Sequence, residues 1–267
     1  MIKGKISVLM GIYNCSDTLR SAVESIKQQT YRNWELIMCD DGSSDNTYDI
    51  ATEIAKSDER IIVLKNSVNL GLNKTLNKCF EKSEGEFIAR MDADDICVPE
   101  RFEKQLSLLK SKTEYSIVSS RMFLFDENGV WGKTSQKEYP TIEDVVTSSP
   151  ICHAPVMMYR KCMEMVGGYT EDASVLRVED VDLWIKLYAA GFRCYNIPEE
   201  LYGMRNDKNA FNRRKYRYRI NSTKIRLKGC YHFRLKTLDY LKAFKPMING
   251  LVPASLRQKM RKYQGKQ

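Results

Sequence analysis

Three carboxylates stand within four residues at Asp92-Ala93-Asp94-Asp95, directly after the apolar run Phe87-Ile88-Ala89-Arg90-Met91. Like charges this close repel unless a cation or hydrogen-bond donors offset them. A hard divalent ion with oxygen ligands suits such a set. A phosphate ester carried by that ion is the matching substrate. A solvated acidic turn before a helix uses the same residue types, so the tetrapeptide alone does not choose between them.

A second acidic turn, Asp40-Asp41-Gly42-Ser43, follows the apolar run Trp34–Cys39. Asp, Gly and Ser make tight turns and helix caps readily. A carboxylate in that place can also accept a hydrogen bond from a nucleobase N–H. A third set, Glu179-Asp180-Val181-Asp182, opens an amphipathic stretch with Val181, Trp184, Leu187 and Tyr188 as packing residues. Acidic residues in a first helical turn are favoured by the macrodipole, and Asp182 fits that role. Asp180 can instead take a proton from an attacking hydroxyl. Lys74 suits either a diphosphate contact or a solvated helix face, and the lone His153 suits a structural role.

The elements that must position these groups alternate. Ile6–Met10, Trp34–Cys39, Ile61–Leu64 and Glu86–Met91 are predicted strands. Between them lie helical patterns, one capped by Ser16 or Asp17, one by Ser44 or Asp45, and one carrying Leu72, Leu76 and Phe80. Alternation of this kind implies a parallel sheet with helices on both faces. Ligands of such sheets bind beyond the strand carboxyl ends, where both acidic turns fall. Pro99 opens a further helix. Beyond it the pattern is mixed, with strands at Tyr115–Ser119, Met122–Phe125, Val156–Tyr159 and Phe192–Ile197, and a helix at Asp180–Ala190 ended by Gly191.

Composition narrows the class. The chain has 267 residues, 43% of them hydrophobic, enough for one large domain with an appendage. No apolar run reaches membrane-spanning length, and the N-terminus lacks the pattern of a signal peptide. None of the eight cysteines forms a CxxC pair, so they read as reduced and packed, as in a cytoplasmic protein. Residues 205–267 hold 19 Lys and Arg against 2 Asp and Glu; the chain is +9 overall, so residues 1–204 sum to −8. A basic tail on an acidic body fits an anionic surface, or helices that pack back on the body.

The ordered set of motifs resembles the family 2 glycosyltransferases of bacterial surface-polysaccharide synthesis. It runs from Val8-Leu9-Met10-Gly11-Ile12-Tyr13-Asn14 through Cys39-Asp40-Asp41-Gly42-Ser43 and Asn69-Leu70-Gly71-Leu72. It continues through Gly85–Asp95, Gly167-Gly168-Tyr169 and Val178-Glu179-Asp180-Val181-Asp182-Leu183-Trp184. The resemblance implies a GT-A-like αβα sandwich over residues 1–205, with a mostly parallel central sheet. Residues 1–110 would form its nucleotide-binding part and 111–205 its acceptor-binding part. A basic helical extension would follow at 206–267.

It further implies a UDP-sugar donor, a hexose or N-acetylhexosamine transferred with inversion, and a glycan or polyprenyl-diphosphate-linked acceptor. By resemblance, Asp41 or its neighbour Asp40 meets the uracil, with Gly11 and Tyr13 beside the nucleotide. Gly11 replaces the family's usual proline or threonine, and a backbone group can serve there. Asp92 lies near the ribose and the metal, Asp94 holds Mn²⁺ or Mg²⁺, and Asp95 supports the site or the donor sugar. Asp180 matches the general base and Glu179 its neighbour, while Arg205 reaches a phosphate of donor or acceptor.

Two other classes compete. A sugar-nucleotide nucleotidyltransferase shares the layout but needs a glycine-rich basic loop, where this chain has Gly11-Ile12-Tyr13-Asn14-Cys15-Ser16. A non-enzymatic nucleic-acid-binding protein could use the run Arg213–Arg219, which interleaves bases with aromatics. The same run, with Met247–Pro253 and 257–262, also suits an anionic membrane surface, and the resemblance, through its polyprenyl-diphosphate-linked acceptors, implies the inner face of the cell membrane.

Overall fold

The computed structural model describes residues 1–205 and 216–251. The basic residues Arg213, Arg214 and Lys215 and the cluster at 257–262 lie outside them.

The first half of the chain folds as its periodicity implies. Strands β1 (Ile2–Ile12), β2 (Trp34–Asp40), β3 (Ile61–Lys65) and β4 (Gly85–Arg90) alternate with helices α1 (Leu19–Lys27), α2 (Thr47–Lys56) and α3 (Leu72–Lys82). All four strands are mutually parallel in the order β3-β2-β1-β4. Every residue of β2 is buried, as expected of a strand covered on both faces. The chain winds outward from β1 to β3, then returns to β4 on the other side of β1. The carboxyl ends of β1 and β4 therefore diverge, which opens the crevice where such sheets bind ligands.

Short β5 (Ile96–Cys97) and helix α4 (Arg101–Ser111) lead into the second half. There β6 (Ile117–Asp126), β7 (Gly129–Lys133), α5 (Ile142–Thr147), β8 (Met157–Tyr159), α6 (Arg160–Val166), α7 (Glu179–Ala189) and β9 (Cys194–Arg205) follow. The sheet continues β4-β8-β6-β9-β5, with β7 on β6. Here β8, β7 and β5 run antiparallel to their partners, while β6 and β9 are parallel. Parallel character is thus concentrated in the N-terminal half. The architecture is a GT-A-like α/β sandwich around one curled sheet.

Two local expectations are corrected. The segments Tyr115–Ser119 and Met122–Phe125 form one strand, because β6 bends through register shifts at Ser120–Met122 without breaking. Neither Ser16 nor Asp17 caps α1, which starts after Thr18 with no side-chain cap. The Ser16 amide instead donates to Asp45 Oδ2, tying the β1 loop to the β2 loop.

Helices α8 (Tyr216–His232), α9 (Thr237–Ala243) and α10 (Lys245–Leu251) complete the described chain. α8 packs back on the body. Its buried Arg226 donates to the carbonyls of Val146 and Ser148 at the end of α5. Ile225 joins Val175, Val178 and Val181 at the start of α7.

Candidate active site

The loops after β1 and β2 are laced together. Asn14, at a positive φ of 47°, accepts at Oδ1 from the Ser44 amide at 2.9 Å, and its own amide donates to Ser43 Oγ. Asn tolerates that backbone region better than most residues. The Cys15 amide donates to Thr47 Oγ1. The cap residue of α2 is neither Ser44 nor Asp45 but Asn46, which makes no side-chain cap bond, although Asp45 Oδ1 accepts from the Thr47 amide at 3.0 Å. Gly42 sits at φ +73°, and a Cβ there would lie 2.8 Å from the Val68 carbonyl carbon. Only glycine fits that turn.

Within this frame the two adjacent aspartates separate. Asp41 is fully engaged: Oδ1 accepts from Asn66 Nδ2 at 2.9 Å and the Leu70 amide at 2.8 Å, and Oδ2 from the Gly71 amide at 2.9 Å. It fixes the loop that enters α3. Asp40, the last residue of β2, is completely buried. Its Oδ2 accepts from the Ser43 amide at 3.3 Å, while its Oδ1 is buried without a partner. A buried carboxylate oxygen left unpaired is costly. An N–H from a ligand would satisfy it.

Gly11 has a packing reason to lack a side chain. A Cβ there would meet Leu72 Cδ1 at 3.0 Å and Thr75 Cγ2 at 3.3 Å, so it lets α3 approach β1. Tyr13 lies on the rim, half exposed. Lys74 is exposed in the first turn of α3.

The acidic turn after β4 is built from both halves of the chain. Asp92 Oδ1 receives Arg90 Nη2 at 2.5 Å. The Asp92 amide donates to the Tyr202 hydroxyl at 3.1 Å. Asp95 is buried, and its Oδ1 accepts from the Arg205 amide at 2.7 Å. Arg205 Nε donates to the Asp94 carbonyl at 3.1 Å, and its guanidinium lies 4.7 Å from the Phe125 ring centre. The end of β9, with Arg205, therefore clamps the turn. Asp94 itself is exposed. Burial, then the charges of Asp92 and Asp94, hold the Asp95 carboxyl well above the usual range.

Among the described residues, no cluster of three or more His, Cys, Asp or Glu side chains is arranged as a metal cage. Magnesium and manganese sites of the phosphate-bound kind need fewer, since one or two carboxylates with substrate oxygens and waters complete the shell. Asp94 and Asp92 offer hard oxygen donors, and the field they raise at Asp95 is one a cation would relieve. The donor set fits Mn²⁺ or Mg²⁺.

Arg90 joins this turn to the third acidic set. It is almost wholly buried, and its Nε has no hydrogen-bond partner. After burial, its largest influences are the charges and dipoles of Asp92, Tyr169, Tyr202 and Glu179. Tyr169 feels Arg90, Glu179, Asp92 and Asp180 together. Its hydroxyl lies 2.8 Å from His153 Nε2, and the His153 ring packs edge-on against Trp184. Burial and the Arg90 charge hold the His153 imidazole well below its ordinary value. His153 is thus a neutral structural partner of Tyr169. Glu179 and Asp180 begin α7, with the Val181 amide donating to Asp180 Oδ1 at 2.8 Å. Burial, then the charge of Asp180, raise the Glu179 carboxyl. Thr170 Oγ1 donates to Asp182 Oδ2, which leaves Asp182 structural.

The structure therefore gathers Asp92, Asp94 and Asp95 in one turn clamped by Arg205 of β9, and Glu179 and Asp180 bear on it electrostatically through Arg90 and Tyr169. Sequence reasoning missed Arg90, Asn66, Tyr169 and Tyr202. A charged residue inside an apolar strand was the one available signal, at Arg90.

Residues 7–163 match the model of glycosyl transferase family 2. The chain belongs to that family. It is 39% identical over 259 residues to EpsE of Bacillus subtilis (strain 168), covering 97% of this chain and 93% of EpsE. It is 36% identical over 182 residues to WfgD of Escherichia coli, a UDP-Glc:α-D-GlcNAc-diphosphoundecaprenol β-1,3-glucosyltransferase, covering 68% of this chain and 69% of WfgD. Among solved structures, S. aureus TarS 1–349 in complex with UDP superposes with a TM-score of 0.69 at 17% identity, over 92% of this chain and 71% of that one. That likeness establishes the shared GT-A-like fold.

Proposed function

We propose that this glycosyltransferase moves a hexose or N-acetylhexosamine from a UDP-sugar to a hydroxyl of a lipid-linked glycan, with inversion. The observation that supports the reading is that the buried Arg90 pairs with Asp92 and feels the charge of Glu179 at the start of α7, while Asp40 carries an unpaired buried oxygen at the end of β2. WfgD, by its name, uses UDP-Glc and a diphosphoundecaprenol-linked acceptor, which supports the donor and acceptor classes.

In this reading Asp40 Oδ1 accepts the N–H of the uracil, and the rim residues Gly11 and Tyr13 border the nucleotide. Asp41 holds the loop that shapes this pocket. Asp94, with Asp92, would hold Mn²⁺ or Mg²⁺ against the diphosphate; the bound ion offsets the negative charge of the departing UDP. Arg205 and the exposed Lys74 supply positive charge on the diphosphate side, and Asp95 braces the turn through the Arg205 amide. Asp180 accepts the proton of the acceptor hydroxyl as its oxygen attacks C1. The C1–O bond breaks as the new one forms, and its electron pair leaves with the diphosphate. A single displacement with one base inverts the anomeric centre. Glu179 acts as a neighbour that orients Asp180, and Arg90 holds both carboxylate groups at a fixed separation.

The test is a screen of UDP-sugars with Mn²⁺ or Mg²⁺ and polyprenyl-diphosphate-linked sugars, read by UDP release and mass spectrometry of the product. One donor should give a product heavier by one hexose or N-acetylhexosamine. Pyrophosphate release from UTP and a sugar phosphate, with no transfer from any UDP-sugar, would overturn the reading.

A further inference from the structure

The last three described helices carry a surface that the transfer reaction does not use. Leu238, Leu241, Phe244, Ile248 and Leu251 recur every three or four residues along α9 and α10, and they are 61%, 64%, 40%, 59% and 76% exposed. That interval places Leu238 with Leu241 on one face of α9 and Ile248 with Leu251 on one face of α10, with Phe244 at the junction. The opposite face of α9 is the packed one. Asp239 and Ala243 are buried there, and Ala243 shares a small core with Val146 and Cys230. The apolar ridge therefore points away from the body. Tyr231, near the end of α8, is 80% exposed as well.

The ridge has a charged border. Residues 216–251 hold nine Lys and Arg against the single Asp239, and Asp239 is buried and paired with Lys242 at 2.9 Å. Arg234, Lys236, Lys245, Lys224 and Lys228 are exposed. An exposed row of aliphatic side chains bordered by lysines matches neither a monomer surface in water nor a polynucleotide partner. It matches the interface of an anionic bilayer, where the apolar side chains enter the acyl boundary and the cations meet headgroup phosphates.

We infer that α9 and α10, with the exposed face of α8, form an in-plane docking surface for anionic lipid. The platform is tied to the site. Ile225 of α8 packs on Val178 and Val181, which flank Glu179 and Asp180, and Asn221 Nδ2 reaches the carbonyls of Ala173 and Leu176. Docking would thus fix the start of α7 relative to the membrane plane. The inference goes beyond the transfer reaction and does not depend on which donor or acceptor is used.

The experiment is vesicle co-sedimentation of the full chain, with phosphatidylcholine alone or mixed with phosphatidylglycerol. The wild type should pellet with the mixed vesicles and lose about tenfold in binding on neutral ones or at high salt. Leu241→Glu with Ile248→Glu should lose about tenfold or more on mixed vesicles, with an unchanged circular dichroism spectrum. Lys236→Glu with Lys245→Glu should weaken binding and flatten its salt dependence. No pelleting of the wild type, or equal pelleting of the Leu241→Glu/Ile248→Glu chain, would overturn the inference. So would a dimer in light scattering that the same two substitutions split, since the ridge would then join two copies.

Discussion

Arg90 and Asp92, two positions apart at the end of β4, form an ion pair of 2.5 Å whose arginine is buried and whose aspartate is one-third exposed. Consecutive strand residues point to opposite faces and alternate ones to the same face, so the spacing lets the guanidinium reach its neighbour along the strand. The same guanidinium acts on Tyr169 and Glu179. One buried cation thus pairs with the Asp92 turn and bears electrostatically on the start of α7.

Arg90→Met should remove that brace. Leaving buried acidic groups uncompensated costs about 3–5 kcal/mol in dry sites. Because Asp92 is partly open to water, the expected loss is nearer about 2 kcal/mol. Denaturant melts should show it. Arg90→Lys keeps the charge without the planar fork and should recover most of the stability but only part of kcat. Equal kcat in Lys and wild-type chains would show that charge alone suffices.

Asp40 and Asp41 should behave oppositely although they are adjacent. Asp41→Ala removes three hydrogen bonds to a carboxylate. Bonds to charged groups are worth about 1.5–3 kcal/mol each in isolation and are not additive, so a loss of about 3 kcal/mol is expected in the melt. Asp40→Asn should leave stability intact or improved, because it removes a buried and half-paired charge. UDP affinity by calorimetry should fall about tenfold or more. Loss of UDP binding in neither variant would place the base elsewhere.

Glu179 links stability to pH. Its carboxyl is raised in the folded chain, chiefly by burial and then by Asp180. Stability from the neutral form is fully present below the unfolded carboxyl value, about 4.3, and is lost as pH rises through the folded value. Glu179→Gln should therefore raise the melting temperature at pH 7.5, and the gain should vanish near pH 4. Its kcat should drop modestly, since the base remains. A Gln variant whose gain is the same at both pH values would contradict the assigned cause.

The N-terminal half of the fold was legible because its strands are continuous apolar runs separated by amphipathic helices. β1 to β4 each appear within a few residues of their expected limits. The acidic turns were legible as positions, since they end strands. Their internal division was not. Which of Asp40 and Asp41 keeps an unpaired oxygen depends on Asn66, Leu70 and Gly71, 25 to 30 positions from Asp41. The clamp on Asp92 and Asp95 comes from Tyr202 and Arg205, 110 positions along the chain. No local period records such contacts. Helix α1 shows the same limit on a smaller scale: Ser16 looks like a cap but spends its amide on Asp45 in the neighbouring loop.

The central claim is that Asp180 takes the acceptor proton opposite a UDP leaving group bound at Asp40 and Asp94. Turnover and UDP affinity measured together for Asp180→Asn test it most directly. The expected result is a fall in kcat of about a hundredfold or more, with UDP affinity and melting temperature within error of wild type. An Asp180→Asn chain that keeps more than about a tenth of wild-type kcat would contradict it, because loss of a general base removes about two to four orders of magnitude in rate.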